Sequence, residues 1–100
     1  AEVLARYAAI CQAQGIVPIV EPEVLIDGDH TIERCEEVTE PVLQALFSAL
    51  NRHKVMLEYI ILKPSMVISG KACSNKSDAK TTADATVRVL RRTVPAAVPT

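Results

Sequence analysis

The sequence predicts an α/β chain in which parallel strands alternate with helices. Two aliphatic runs carry that prediction, Gly15–Val20 and Val55–Leu62, and each ends in charge, at Glu21-Pro22-Glu23 and at Lys63-Pro64. Between them lies a long stretch with apolar residues at helical spacing, and further helical patterns flank the pair. Strands alternating with helices are the repeat of a parallel sheet, which keeps its chemistry at the carboxyl ends of its strands.

Each element has its own signal. Glu2–Gln14 reads as a helix with Val3, Leu4, Tyr7, Ala8, Ile10 and Cys11 on one face and Gly15 as its stop. The first strand follows at Ile16–Val20. Asp27-Gly28-Asp29 is turn chemistry, with Asp29 the expected N-cap of the next helix. Ile32, Cys35, Val38, Val42, Leu46, Ala49 and Leu50 form its expected apolar face, up to about Arg52. Pro41 falls inside that pattern, where a proline costs about 3 kcal/mol, so a kink is expected. The second strand is expected at Met56–Leu62. A polar loop from Ser69 to Lys76 leads to Ser77 as N-cap, with Asp78 in the first turn. Ala79, Ala83, Val87 and Leu90 are the expected apolar face of a third helix. Arg88, Arg91 and Arg92 load its last turns, and Pro95 ends it. Ala96–Pro99 looks like the start of another strand.

Two strands cannot close a sheet, and a (β/α)₈ barrel takes about 250 residues. The 100 residues therefore read as an internal fragment, residues 1–100, of a single (β/α)₈ barrel domain, with roughly two of its eight units. Composition narrows the function. Net charge is −1, which argues against nucleic acid as a partner, and no run reaches the roughly 18 apolar residues of a membrane helix. Residues 1–50 hold nine acids and two bases, whereas residues 51–100 hold three acids and nine bases. Either the halves complement each other, or the basic half attracts an anionic, phosphorylated substrate. Cys11, Cys35 and Cys73 show neither zinc spacing nor a disulfide framework, and His30 and His53 stand alone, so no metal is expected.

Lys63 and Glu21 are the candidates for chemistry. Alternate residues of a strand face the same way, so Tyr59, Ile61 and Lys63 should share one face of the second strand. Val17, Ile19 and Glu21 should share the matching face of the first, with Glu23 following if the extended run persists through Pro22. Both charged ends would then meet at the mouth of a barrel. A desolvated lysine beside a carboxylate suggests an amine nucleophile working through a Schiff base, with the carboxylate shuttling protons. Only the free amine attacks a carbonyl; burial favours that form and a neighbouring carboxylate opposes it. Taken alone the pattern is a weak signal: a lysine at a strand end is more commonly a solvated or ion-paired residue, and Glu-Pro-Glu a solvated loop beside a helix start.

Leu4-Ala5-Arg6-Tyr7-Ala8, Gly15 through Glu23, Asp27-Gly28-Asp29-His30, Leu62-Lys63-Pro64 and Arg91-Arg92-Thr93-Val94-Pro95 together resemble the class I fructose-bisphosphate aldolases. The resemblance runs almost end to end. It implies a (β/α)₈ barrel, usually homotetrameric and cytoplasmic, that needs no metal or other cofactor. The implied reaction is lysis of fructose 1,6-bisphosphate, a sugar phosphate of glycolysis, to dihydroxyacetone phosphate and glyceraldehyde 3-phosphate. Lys63 matches the family's Schiff-base lysine, Glu21 its acid/base glutamate, and Glu23 a second acid that helps organise the site. The chain departs from the family pattern at Tyr59, where glycine is usual, and at Ile60, Ser65, Ile68-Ser69, Pro41 and Thr100. Overpacking by Tyr59 would cost about 1–3 kcal/mol. The family's other site residues, including those that hold the substrate phosphate, have no match in these residues, so the fragment alone is expected to be inactive. A truncated or divergent, non-catalytic paralogue acting, if at all, as an interaction protein is the alternative reading, and a transaldolase-like Schiff-base lyase a more distant one.

Overall fold

The computed structural model describes residues 1–100. Its elements are α1 (Glu2–Ala13), β1 (Ile19–Val20), α2 (Ile32–Arg52), β2 (Ile61–Leu62) and α3 (Ala79–Thr93), with a 3₁₀ turn at Leu57–Tyr59. The strands pair in parallel, Ile19 with Ile61 and Val20 with Leu62. The alternation of helix and strand expected from the sequence is therefore present, but both strands are far shorter than their aliphatic runs. Ile16 and Val17 lie outside β1, and the 3₁₀ turn occupies the middle of the segment expected to be strand. The cause is packing: Gln12 clamps that segment, its amide oxygen accepting from Met56 N–H at 2.9 Å and its Nε2 donating to the carbonyls of Met56 and Tyr59 at 2.9 and 3.2 Å. At the other end, the Leu62 N–H donates to the Pro99 carbonyl at 2.9 Å. The stretch read as the beginning of a third strand thus lies against the free edge of β2, although no strand forms there.

One side of this small sheet is covered and the other is open. Val20, Ile60 and Leu62 are at most 1% exposed and join the core with Leu43, Leu46 and Leu50 of α2. Ile19 and Ile61, on the opposite face, are about half exposed. Helix α2 is the centre of the packing, touching α1 on one flank and α3 on the other. Its buried stripe includes Thr39, Leu43 and Phe47, which the expected face omitted, while Ile32, Val38 and Val42 are only partly buried. Thr39 is accommodated because its hydroxyl donates to the Cys35 carbonyl at 2.7 Å.

The faces of the outer helices differ more from expectation. In α1 the buried residues are Ala5 and Ala8, and Val3, Tyr7 and Ile10 are exposed. Small side chains let α1 approach α2 closely, and periodicity alone gave them less weight than their larger neighbours. In α3 the buried stripe is Thr82, Ala85 and Val89, with Ala79, Ala83 and Val87 turned outward. Threonines mislead a polarity count here, because Thr86 and Thr93 donate to backbone carbonyls four residues back and Thr82 meets the Ser77 hydroxyl at 3.1 Å.

The helix ends correct two further expectations. Thr31, not Asp29, caps α2 by accepting from the Arg34 N–H at 3.2 Å, and Asp78, not Ser77, caps α3 by accepting from the Thr81 N–H at 2.8 Å. Ser77 instead donates its backbone N–H to the Ser69 hydroxyl. Gly15 does end α1, at φ +74°, in a Schellman arrangement: its N–H donates to Gln12 and the Ile16 N–H to Cys11. Helix α2 runs from Ile32 to Arg52 as a single element through Pro41. Pro41 lies on the exposed side, beside exposed Glu37 whose carbonyl it deprives of a donor, so water can satisfy that carbonyl.

Charge joins the two halves of the chain. Glu2 pairs with Arg52, Asp27 with Lys71, Glu36 with Arg88 and Glu40 with Arg92, each an acid of the first half with a base of the second. Mutual complementation thus accounts for the asymmetry between them. The hydrogen bonds from Arg88 hold the Glu36 carboxyl below its ordinary value of 4.5. A carboxyl with a lowered folded-state pKa stabilises the fold above its unfolded value and loses that contribution as pH falls towards the folded one. We expect Glu36→Gln in the intact protein to flatten the fall in stability below about pH 4.5, measured by urea unfolding across pH. A double-mutant cycle with Arg88→Ala should give a small favourable coupling, because the Arg88 side chain is more than half exposed.

Candidate active site

The site is built where the two strands end. Ile61 N–H donates to the Pro18 carbonyl at 3.0 Å and Lys63 N–H to the Val20 carbonyl at 2.9 Å. These bonds fix a register in which Glu21 stands opposite Lys63, 42 residues away. The side chains meet: Lys63 Nζ lies 3.5 Å from Glu21 Oε2. Both are on the open face, with side-chain exposures of 67% and 50%. The desolvation expected of Lys63 is therefore not supplied by the residues of this chain, because every helix packs on the other side of the sheet. Glu23 follows two residues on and is exposed, separated from Glu21 by the buried Pro22.

Tyr59 ends the 3₁₀ turn and is exposed (56%), as are Ile61 and Lys63, while its neighbour Ile60 enters the core.

The loops beyond the strands are tied together twice. Close to the strands, the Val24 N–H donates to the Ser65 hydroxyl at 3.3 Å. Further out, Lys71 N–H donates to Ile26 at 2.8 Å, Ala72 N–H to Gly28 at 2.7 Å and Gly70 N–H to His30 at 2.9 Å. That second tie requires glycine, since a Cβ on Gly70 would come within 2.4 Å of the Gly28 carbonyl oxygen. The His30 ring sits against it, with Nε2 buried and without a hydrogen-bond partner. Of the residues singled out from the sequence, the structure brings Lys63 and Glu21 together and shows no contact between Glu23 and either; Ser65 was noted only as a departure from the family pattern, and Gly70 was not noted. For Gly70 no periodic signal exists, because its role is set by a backbone 42 residues earlier. No group of three His, Cys, Asp or Glu side chains is placed to hold a metal ion, and the three cysteines are free thiols. No helix is long and apolar enough to cross a membrane.

Parallel strands with a lysine–carboxylate pair at their carboxyl ends, helices on one face and loops above the pair, define this as a unit of a parallel α/β barrel. Comparison with known proteins identifies which barrel. A family model for glycolytic class-I fructose-bisphosphate aldolase matches residues 1–100. The chain is 60% identical to human fructose-bisphosphate aldolase B over 99 residues, which is 99% of this chain and 27% of that protein. It is 58% identical to a probable class 1 fructose-bisphosphate aldolase of Xanthomonas campestris, over 99% of this chain and 30% of that one. The solved structure of the Plasmodium falciparum fructose-bisphosphate aldolase superposes with a TM-score of 0.97 at 52% identity, covering 99% of this chain and 28% of that one. The chain belongs to the class-I fructose-bisphosphate aldolase family, and its fold is part of a (β/α)₈ barrel. It spans between a quarter and a third of the length of these relatives.

We expect Gly70→Ala to force the two loops apart and to lower stability by about 1–3 kcal/mol in urea unfolding of the intact protein.

Proposed function

We propose that this chain is an internal segment of a single (β/α)₈ barrel domain. The whole protein is a cytoplasmic, homotetrameric glycolytic lyase that cleaves fructose 1,6-bisphosphate to dihydroxyacetone phosphate and glyceraldehyde 3-phosphate. The observation that carries this reading is the approach of Lys63 Nζ to Glu21 Oε2, 3.5 Å apart at aligned strand ends, in a chain of this family.

The chemistry follows from the pair. Lys63, as free amine, adds to the ketone carbon of the substrate, and the resulting carbinolamine loses water when Glu21 delivers a proton to its hydroxyl. The iminium so formed is an electron sink. When a base takes the proton of the C4 hydroxyl, the C3–C4 bond breaks, its electron pair enters the iminium to give an enamine, and the aldehyde product departs. Protonation of the enamine at carbon and hydrolysis release the ketone product and restore the lysine. Glu23 carries a second negative charge beside this path and helps orient Glu21. The reaction needs no metal, no redox cofactor and no nucleic-acid partner. The catalytic reading is preferred to a divergent interaction protein because Lys63 and Glu21 are both present and their side chains meet.

The test is borohydride reduction of the intact protein in the presence of dihydroxyacetone phosphate, read by peptide mass spectrometry. A reduced adduct on the Lys63 peptide is expected, absent in Lys63→Arg. Glu21→Gln should slow adduct formation by about 10²–10⁴-fold. An unmodified Lys63 in the folded protein would overturn the proposal in favour of a non-catalytic paralogue.

A further inference from the structure

We propose that Ser65 is a positioning residue for the lysine–glutamate pair: its hydroxyl accepts the Val24 N–H, the first donor beyond the backbone rung that Pro22 cannot make, and so sets where Glu21 and Glu23 stand relative to Lys63. This inference rests on the lyase reading of the same site and concerns how that site is held.

The argument starts from the ladder. In a parallel pair each residue of one strand donates its N–H to one neighbour across and accepts from another. The rungs from Ile61 to Pro18 and from Lys63 to Val20 obey this rule. The next rung in the series would run from the N–H of residue 22 to the Lys63 carbonyl, and residue 22 is Pro22, which has no N–H. The residue after Lys63 is also a proline, Pro64. Regular pairing therefore ends at the two residues whose side chains must meet. Continued in the same register, Glu23 would oppose Ser65 and the Val24 N–H would seek the Ser65 carbonyl. It finds the Ser65 hydroxyl instead, at 3.3 Å, with both residues partly buried.

That bond is the first contact beyond the proline break. Without it, the Pro22–Val24 segment has no hydrogen bond to the second strand, and is held by the burial of Pro22, by Val24 against the core and by the more distant tie between residues 26–30 and 70–72. A charged pair that is 67% and 50% exposed has little attraction of its own with which to fix its geometry. Catalysis that depends on proton transfer between positioned groups is sensitive to displacements well under 1 Å, so one such tether influences rate more than stability.

The test uses the intact protein and its Ser65→Ala, Ser65→Cys and Ser65→Thr forms. The readouts are the rate of borohydride-trapped adduct formation on the Lys63 peptide with dihydroxyacetone phosphate, its pH profile, and the thermal melt. Ser65→Ala is expected to trap on Lys63 about three- to tenfold more slowly, with a changed pH profile and a melt close to the parent's. Ser65→Thr, which keeps the hydroxyl, should restore both rate and profile. Should Ser65→Ala fail to melt cooperatively, Ser65→Cys carries the comparison, since a thiol fills the space but accepts hydrogen bonds weakly. Trapping at the parent rate and with the parent profile in the folded Ala or Cys form would overturn the role of Ser65 while leaving the lyase reading intact. No adduct in the parent protein would overturn both.

Discussion

The parallel register of β1 and β2 is the constraint on which the rest of this structure depends. Because side chains alternate along a strand, a slip of one residue by either strand would send its Val20 or Leu62 into solvent and turn its Glu21 or Lys63 towards α2. The register that buries Val20 and Leu62 under the helices is the register that brings the two charged ends within 3.5 Å on the other face. Core and site are therefore selected by one alignment. The large term in that selection is apolar: fully burying side chains of this size is worth about 1.5–3 kcal/mol each. An ion pair as exposed as this one is worth about 0–1 kcal/mol. The position of Lys63 is set by Val20, Ile60 and Leu62, not by its attraction to Glu21.

Helix α2 transmits that alignment outward. It carries the largest share of the core, from Cys35 to Leu50, and offers both flanks to its neighbours. On one flank Ala5 and Ala8 bring α1 close, and Glu2 of α1 reaches His53 and Arg52 at the far end of α2, the hydrogen bond from His53 lowering the Glu2 carboxyl from its ordinary value. On the other flank Glu36 and Glu40 meet Arg88 and Arg92. The two pairs share a sequence separation of 52, so they form one turn-to-turn ladder between α2 and α3. Charges that looked like a gradient along the sequence are local pairs in space, and the basic half of the chain is largely neutralised by the acidic half.

What was legible in the sequence was whatever depends on one element at a time. The order of elements, the Gly15 stop, the end of α3 before Pro95 and the shared face of Ile61 and Lys63 all follow from local pattern, and the structure has each of them. What was not legible depends on a partner elsewhere. Periodicity ranked Val3 and Tyr7 above Ala5 and Ala8, because it scores hydrophobicity and not the space between two helices. Ser77 and Asp78 are both good caps; Asp78 takes the role because Ser77 is already engaged with Ser69 and Thr82. The strands were overestimated for the same reason, since Gln12 draws Met56–Tyr59 out of the extended state.

The site shows the same division with a sharper consequence. Lys63, Glu21 and Glu23 were visible because charge at the end of an aliphatic run needs a reason. Ser65 stood out only as a departure from the family pattern, because a serine in a loop gives no such signal and its partner, the Val24 N–H, lies 41 residues earlier. Proline placed directly after each charged residue has two opposed effects: it stiffens the backbone at φ near −65° and it ends the hydrogen bonding that could align the two strands further. Ending it lets both side chains stand at a rim, where a substrate can reach them, and leaves alignment to a side chain. A hydroxyl is suited to that task because it accepts the Val24 N–H, the first donor beyond the break, without adding charge beside the amine.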